Sequence, residues 1–176
     1  VLVTDRLVLR RWRDSDRAPF AAINADPEVM RFFPATLSRE ESDAGMDRLE
    51  AGFEQKGISF WAAEMRADGR LVGFIGLKHV ADNLPFAPTI EIGWRLARHV
   101  WGQGLAPEGA RAALAYAFSA LKAAEVVSFT PAVNVPSRRV MEKIGMTRDA
   151  TGDFLHPNVP EGHALQPHVL YRIKAA

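Results

Sequence analysis

The chain has 176 residues, 48% of them hydrophobic and 24% charged, with a formal net charge of +1 and no cysteine. That length suits one domain spanning 1–176, able to bury roughly 70% of its unfolded surface without staples. The composition excludes disulfides, thiolate metal sites and a cysteine nucleophile, gives no reason to expect nucleic acid or an anionic membrane as partner, and fits a cytoplasmic setting. The start carries no leader-like apolar region, and no apolar run approaches the ~20 residues of a membrane span.

In chain order, Leu7 and Leu9 alternate with polar neighbours and predict a first strand ending before Asp14. Asp14 or Ser15 is placed to cap a helix carrying Phe20, Ala21 and Ile23 towards Asn24, which Asp26 and Pro27 interrupt. Ser38 and Glu41 form a capping box that opens a second helix, with Met46, Leu49 and Phe53 at helical spacing and a stop near Gly57. Two strand-like runs between Ser59 and Val80 flank Asp68-Gly69, a hairpin signal. Gly73 and Gly76 in the second run point to close packing or a nearby ligand.

From Thr89 to Ala97 the residues alternate, with Ile90, Ile92, Trp94 and Leu96 on one face and Thr89, Glu91, Gly93 and Arg95 on the other, less apolar one. A turn, HVWGQGLAP, separates this strand from a helix with Ala110, Ala113, Leu114, Ala117, Phe118 and Leu121 at helical spacing. Pro107 and Glu108 suit its first turn and Lys122 its last. No Ser, Thr, Asp or Asn stands just before Pro107, so the first-turn amides lack an evident side-chain cap. Gly102 and Gly104 remove Cβ atoms there, and the amides from Gln103 to Ala106 are free to converge on an anion or on water. A P-loop is excluded by the absence of G-K-[ST], and a G-x-G-x-x-G would need glycine where Pro107 stands.

The chain finishes with a β-branched run, VVSFTPAV, a short helix from Asn134 to Ile144 stopped by Gly145, and two strands, MTRDATGDF and HVLYRIKA. His156, His163 and His168 share the loop between those strands, without an H-E-x-x-H pattern, so no metal site is expected. The order strand, two helices, three strands, helix, strand, helix, two strands predicts one mixed α/β sheet flanked by helices. The passage through Leu105 to Lys122 is expected to be a right-handed parallel crossover.

The block EIGWRLARHVWGQGLAPEGARAAL resembles the acyl-CoA-binding motif of the GNAT acetyltransferases, in which a strand, a Q/R-x-x-G-x-G/A turn and a helix hold the pyrophosphate of acetyl-CoA. His99 stands at the usual Gln/Arg position. NVPSRRVMEKIGM resembles the family's second motif, and TDRLVLRRW with RLVGFIGL resembles the branch that acetylates ribosomal-protein N-termini; the likeness runs in order over nearly the whole chain. It implies a GNAT-like fold whose fourth and fifth strands splay to take the pantetheine arm. It also implies acetyl-CoA as co-substrate and direct attack by a primary amine, a protein N-terminus or a small molecule, in a ternary complex. A non-catalytic acyl-CoA-binding or sensing module is the alternative.

By this resemblance the cofactor contacts are Trp94, Arg95 and Leu96, the turn residues Gly102, Gln103, Gly104, Leu105 and Ala106, and Asn134; Arg138 and Arg139 either meet the adenosine 3′-phosphate or are solvated helix positions. Direct transfer needs a neutral amine, and at pH 7 an α-amine near pKa 7.7–8.0 is partly neutral while a lysine near 10.4 is almost wholly charged. Glu91 is the candidate base, a solvated strand face being the other reading of its position. The family's usual acid, a tyrosine, falls on Met141 here. Ser137 is therefore the candidate donor to the departing thiolate, or simply a first-turn residue of a helix capped by Asn134; Tyr171 and Tyr116 are weaker substitutes. Residues 27–37 and 154–167, the longest irregular stretches, are expected to line the acceptor side.

Overall fold

The computed structural model describes residues 1–176. Its strands are β1 (Leu2–Val3), β2 (Leu7–Arg10), β3 (Phe60–Met65), β4 (Leu71–His79), β5 (Ile90–Leu96), β6 (Glu125–Pro131), β7 (Thr147–Leu155) and β8 (Pro167–Lys174). The helices are α1 (Arg17–Ala25), α2 (Arg39–Lys56), α3 (Leu105–Ser119) and α4 (Val135–Lys143). The strands make one sheet in the order β1-β2-β3-β4-β5-β6-β8-β7. Only β5 and β6 are parallel, joined through α3.

Three local expectations shift. The first strand is a small hairpin, β1 and β2, turned at Thr4, whose N–H donates to the Leu7 carbonyl and whose hydroxyl oxygen accepts from the Leu7 N–H. Neither Asp14 nor Ser15 caps α1; a 3-10 turn over Asp14–Asp16 precedes it. The Asp16 carboxylate there serves Arg10, which donates to it at 2.8 and 2.9 Å and to Glu64 at 2.6 Å. A buried guanidinium needs such compensation more than the helix needs a cap. Finally, α3 ends at Ser119, and Lys122, expected in its last turn, takes φ 54°, the left-handed conformation of a residue leaving the helix.

Helix α2 forms as its capping box requires, with the Glu41 N–H donating to Ser38 Oγ at 3.1 Å, the Ser38 N–H donating to Glu41 Oε1 at 3.3 Å, and Gly57 closing the far end at φ 77°. Ser38→Ala removes one of these acceptors and is expected to destabilise the fold by about 1 kcal/mol, a fall in Tm of roughly 2–4 °C in a thermal melt.

Helices cover both faces of the central sheet. A Cβ at Gly109 of α3 would collide with Ile75 and crowd Leu7, which places α3 on the face of Ile75 and its registered partner Trp94. Phe20 of α1 packs on Trp12 at 4.7 Å and edge-on to Phe74 at 6.2 Å, which places α1 on the face of Phe74 and its partner Arg95. The less apolar face of β5 is therefore not a solvated one. β4 reads LVGFIGL without alternation because its first seven residues are all buried. Its glycine at 76 answers to close packing, since a Cβ there would lie 2.6 Å from Phe60 Cα. No helix is long and apolar enough to cross a membrane.

Candidate active site

The sheet opens where β5 leaves β6. Only Ile90 with Val126 and Glu91 with Val127 are in register; from Ile92 onward β5 has β4 alone as neighbour. The Thr89 carbonyl accepts from the N–H of Val80, the residue that follows β4, and Ala97 donates to Val72. The backbone groups of odd-numbered residues along β5 thus point to β4, and those of even-numbered residues to the gap. Two carbonyls on the gap side are closed by the chain's own side chains: Ser128 Oγ donates to Ile92 O at 2.9 Å, and Trp101 Nε1 donates to Leu96 O at 2.9 Å. The amides of Trp94 and Leu96 are left facing the opening. Arg95, read from sequence as a third member of this set, turns its amide to β4 instead.

At the far end of the gap, a 3-10 turn over Arg98–Val100 leads to Gly102 at φ 75° and Gly104 at φ 78°, conformations that an L side chain adopts only under strain. Gly104 is the N-cap of α3, and no side chain bonds the first-turn amides of Leu105 and Ala106. A Cβ at Gly102 would meet nothing, so the space in front of this helix end is open. Arg6 braces the turn: its Nη1 donates to Gln103 O at 2.8 Å, its Nε donates to Glu108 at 2.7 Å, and Thr4 donates to the same carboxylate at 2.6 Å. Nothing in the sequence links Arg6 to a turn about one hundred residues away. His99 is exposed beside this turn. The open end of α3 and the unpaired β5 amides fit a long thioester with a pyrophosphate at one end and an acyl carbonyl at the other.

On the sheet face under α1, β5 presents Glu91 and Arg95, about 13 Å apart along the strand at ~3.3 Å per residue. Loss of water pushes the Glu91 carboxyl up to about 7, and the ammonium of Lys78, its partner across the strand, pulls it part of the way back. Arg95 stacks its guanidinium over Phe33 at 4.5 Å and Phe74 at 5.1 Å, and Nη1 donates to Asn24 Oδ1 at 2.8 Å. Burial lowers its pKa to about 10. Phe33 comes from the irregular segment 27–37, so that segment does border this face. The segment 154–167 contributes His156, whose ring packs with Phe129, Phe154 and His168. Burial depresses both imidazoles, that of His168 to about 4.

Helix α4 lies across the opening. Trp94 Nε1 donates to Ser137 Oγ at 3.3 Å, while the Ser137 hydroxyl proton has no acceptor within the chain. Asn134 caps the helix, its Oδ1 accepting from the Ser137 N–H at 3.3 Å and its Nδ2 donating to Thr130 at 2.9 Å. Arg138 bonds Tyr171 Oη and the Ala132 carbonyl, so its guanidinium is already engaged, whereas Arg139 is exposed. Met141 is 1% exposed and belongs to the core. The Tyr171 hydroxyl is engaged in donating to Glu142, and the Tyr116 ring packs edge-on to Trp61 of β3, two strands from the gap.

Residues 6–147 match the family model described as an acetyltransferase (GNAT) domain. The chain is 34% identical to the uncharacterised protein YkkB of Bacillus subtilis over 82% of its own length and 84% of that protein's. It is 32% identical to an FsC-acetyl coenzyme A-N(2)-transacetylase of Aspergillus fumigatus, over 92% of this chain and 72% of that one. Among solved structures, a GNAT-family acetyltransferase from Bacillus anthracis superposes with a TM-score of 0.81 at 26% identity, covering 98% of this chain and 97% of the other.

Proposed function

This chain belongs to the GNAT family of acetyltransferases, and we propose that it moves an acetyl group from acetyl-CoA to a primary amine by direct attack in a ternary complex. The observation that carries this reading is the pattern on the gap edge of β5. The chain closes the Ile92 and Leu96 carbonyls with its own side chains and leaves the Trp94 and Leu96 amides free. An edge so prepared offers donors to a carbonyl oxygen that gains negative charge. The name of the Aspergillus relative, which includes acetyl coenzyme A, agrees with that choice of donor.

Acetyl-CoA, when bound, supplies the acetyl group as a thioester. The free amides of Leu105 and Ala106, beside Gly102, Gln103 and Gly104, hold its pyrophosphate at the N-terminus of α3. Glu91, half ionised near neutral pH, takes the proton that an incoming ammonium must lose, directly or through water. Ser137, already accepting from Trp94, passes its hydroxyl proton to the departing thiolate and takes in its place the second proton that the attacking nitrogen sheds as the amide forms, so that no alkoxide is left. Asn134 keeps Ser137 in place through the helix cap.

The test is acetyl-CoA consumption, followed by thiol release, with a panel of α-amines, peptide N-termini and small amines, and mass detection of each acetylated product. Ser137→Ala is expected to slow transfer by roughly 10²–10⁴ without recovery at high pH, since it acts on the leaving group and not on the amine. A sensing module remains a second reading because Met141 is buried where the family's tyrosine stands and Tyr171 is bonded elsewhere. Acetyl-CoA binding without turnover on any amine would select it.

A further inference from the structure

The molecule holds one buried arginine, Arg10, and one half-buried one, Arg95, in opposite circumstances. Arg10 is neutralised by Asp16 and Glu64, each within 2.9 Å. Arg95 has no carboxylate within 4.0 Å; its one hydrogen bond is to the neutral Asn24, which is fully buried and turned toward it by donating its own amide to Ser42 at 3.0 Å. Arg95 Nε is buried with no partner, and Nη2 makes no bond within the chain. A guanidinium out of water normally has an acid beside it, because an uncompensated charge there is costly. Three elements, α1, α2 and β5, instead cooperate to hold this one on a neutral support.

Cofactor phosphate does not supply the missing charge. The pyrophosphate seat is the N-terminus of α3, and α3 packs on the Trp94 face, whereas the Arg95 side chain leaves the opposite face, toward α1. That is the face of Glu91, where the amine must arrive. With the rings of Phe33 and Phe74 over the guanidinium, its unbonded donors Nε and Nη2 lie along one edge. Two parallel donors in one plane match the two oxygens of a carboxylate.

We propose that the acceptor is an amine that also carries a carboxylate, and that Arg95 binds this carboxylate while the amino group lies toward Glu91 and the gap. The proposal rests on the acetyl-transfer reading and narrows its substrate class. Phe33, which stacks on the guanidinium at 4.5 Å, is itself 44% exposed, so the clamp lies at the solvent-facing side of this face.

The experiment compares α-, β- and ω-amino acids and dipeptides with their carboxamides, alongside polyamines, as acceptors with acetyl-CoA. The parent protein should prefer the acid over its amide by about 10- to 100-fold in kcat/KM, the range of a charge-assisted hydrogen bond. Arg95→Gln should bring that ratio close to one, and Arg95→Lys should keep part of it. The melting temperature of free Arg95→Gln should not fall, since an unpaired buried charge has been removed. A clamp that serves only the fold predicts a lower melting temperature and an unchanged acid-to-amide ratio, and that pair of results overturns the proposal. Faster turnover of polyamines or carboxamides by the parent also overturns it while leaving acetyl transfer standing. Silence on every amine with acetyl-CoA bound by calorimetry overturns both, and no binding of acetyl-CoA removes the underlying reading itself.

Discussion

Glu91→Gln is expected to lower kcat by roughly 10²–10⁴ at pH 7 with the Kd for acetyl-CoA nearly unchanged, because the substitution keeps size and hydrogen bonding but removes the base. In the parent, activity should rise as pH climbs through about 7, where Glu91 loses its proton. In the variant that limb is replaced by the titration of the amine itself, so the deficit shrinks at high pH. An α-amine recovers at lower pH than a lysine side chain, whose pKa is ~2–3 units higher. Stability moves the other way. The folded-state pKa is raised above the unfolded one, near 4.5, so the folded protein binds the extra proton between those values. The contribution is present below pH ~4.5 and lost as pH rises through about 7. Glu91→Gln should therefore melt higher than the parent at pH 8 and equally at pH 4.5. Full turnover by the variant at pH 7 would remove Glu91 from the chemistry whatever the melting data show.

For the cofactor seat the decisive substitution is Gly104→Val. Acetyl-CoA at ~100 times Kd is expected to stabilise the parent by about 2.7 kcal/mol, a rise in Tm on the order of 5–10 °C for a domain of this size. Valine at Gly104 projects a branched side chain from φ 78° at the mouth of α3, where the only neighbour of a new Cβ is the Arg6 guanidinium at 3.7 Å. The free protein should fold with a modestly lower Tm, from backbone strain and not from a clash. The ligand-induced rise should disappear. Calorimetry that returned the parent's Kd for this variant would place the pyrophosphate elsewhere.

Much of the site's frame was readable because it depends on neighbours in the chain. The alternation from Ile90 to Leu96, the uncapped start of α3 and the Ser38 capping box all rest on spacings of two to four residues, and all form as those spacings imply. Charge pairs between remote elements are not legible in that way. The pairing of Asp16 with Arg10 and the bracing of the glycine turn by Arg6 have no signature in the sequence, because the groups that recruit them lie on other elements. Asn24 carried a faint signal, a polar residue continuing the apolar stripe of α1, but its partner Arg95 is 71 positions away.

Local rules in the sequence determined which segments are strands and helices, where glycine must turn left-handed, and which helix start has amides to offer. Only the tertiary structure decided what those groups experience. Glu91 lies on the polar side of its own strand, yet its carboxyl titrates near neutrality because packing on that face strips its water. Trp94 and Leu96 differ from Arg95 in which way their amides point, and that depends on β4 pairing along one edge while β6 turns away from the other. Burial, desolvation and the parting of strands are properties of which remote segments meet, and no short window of sequence contains them.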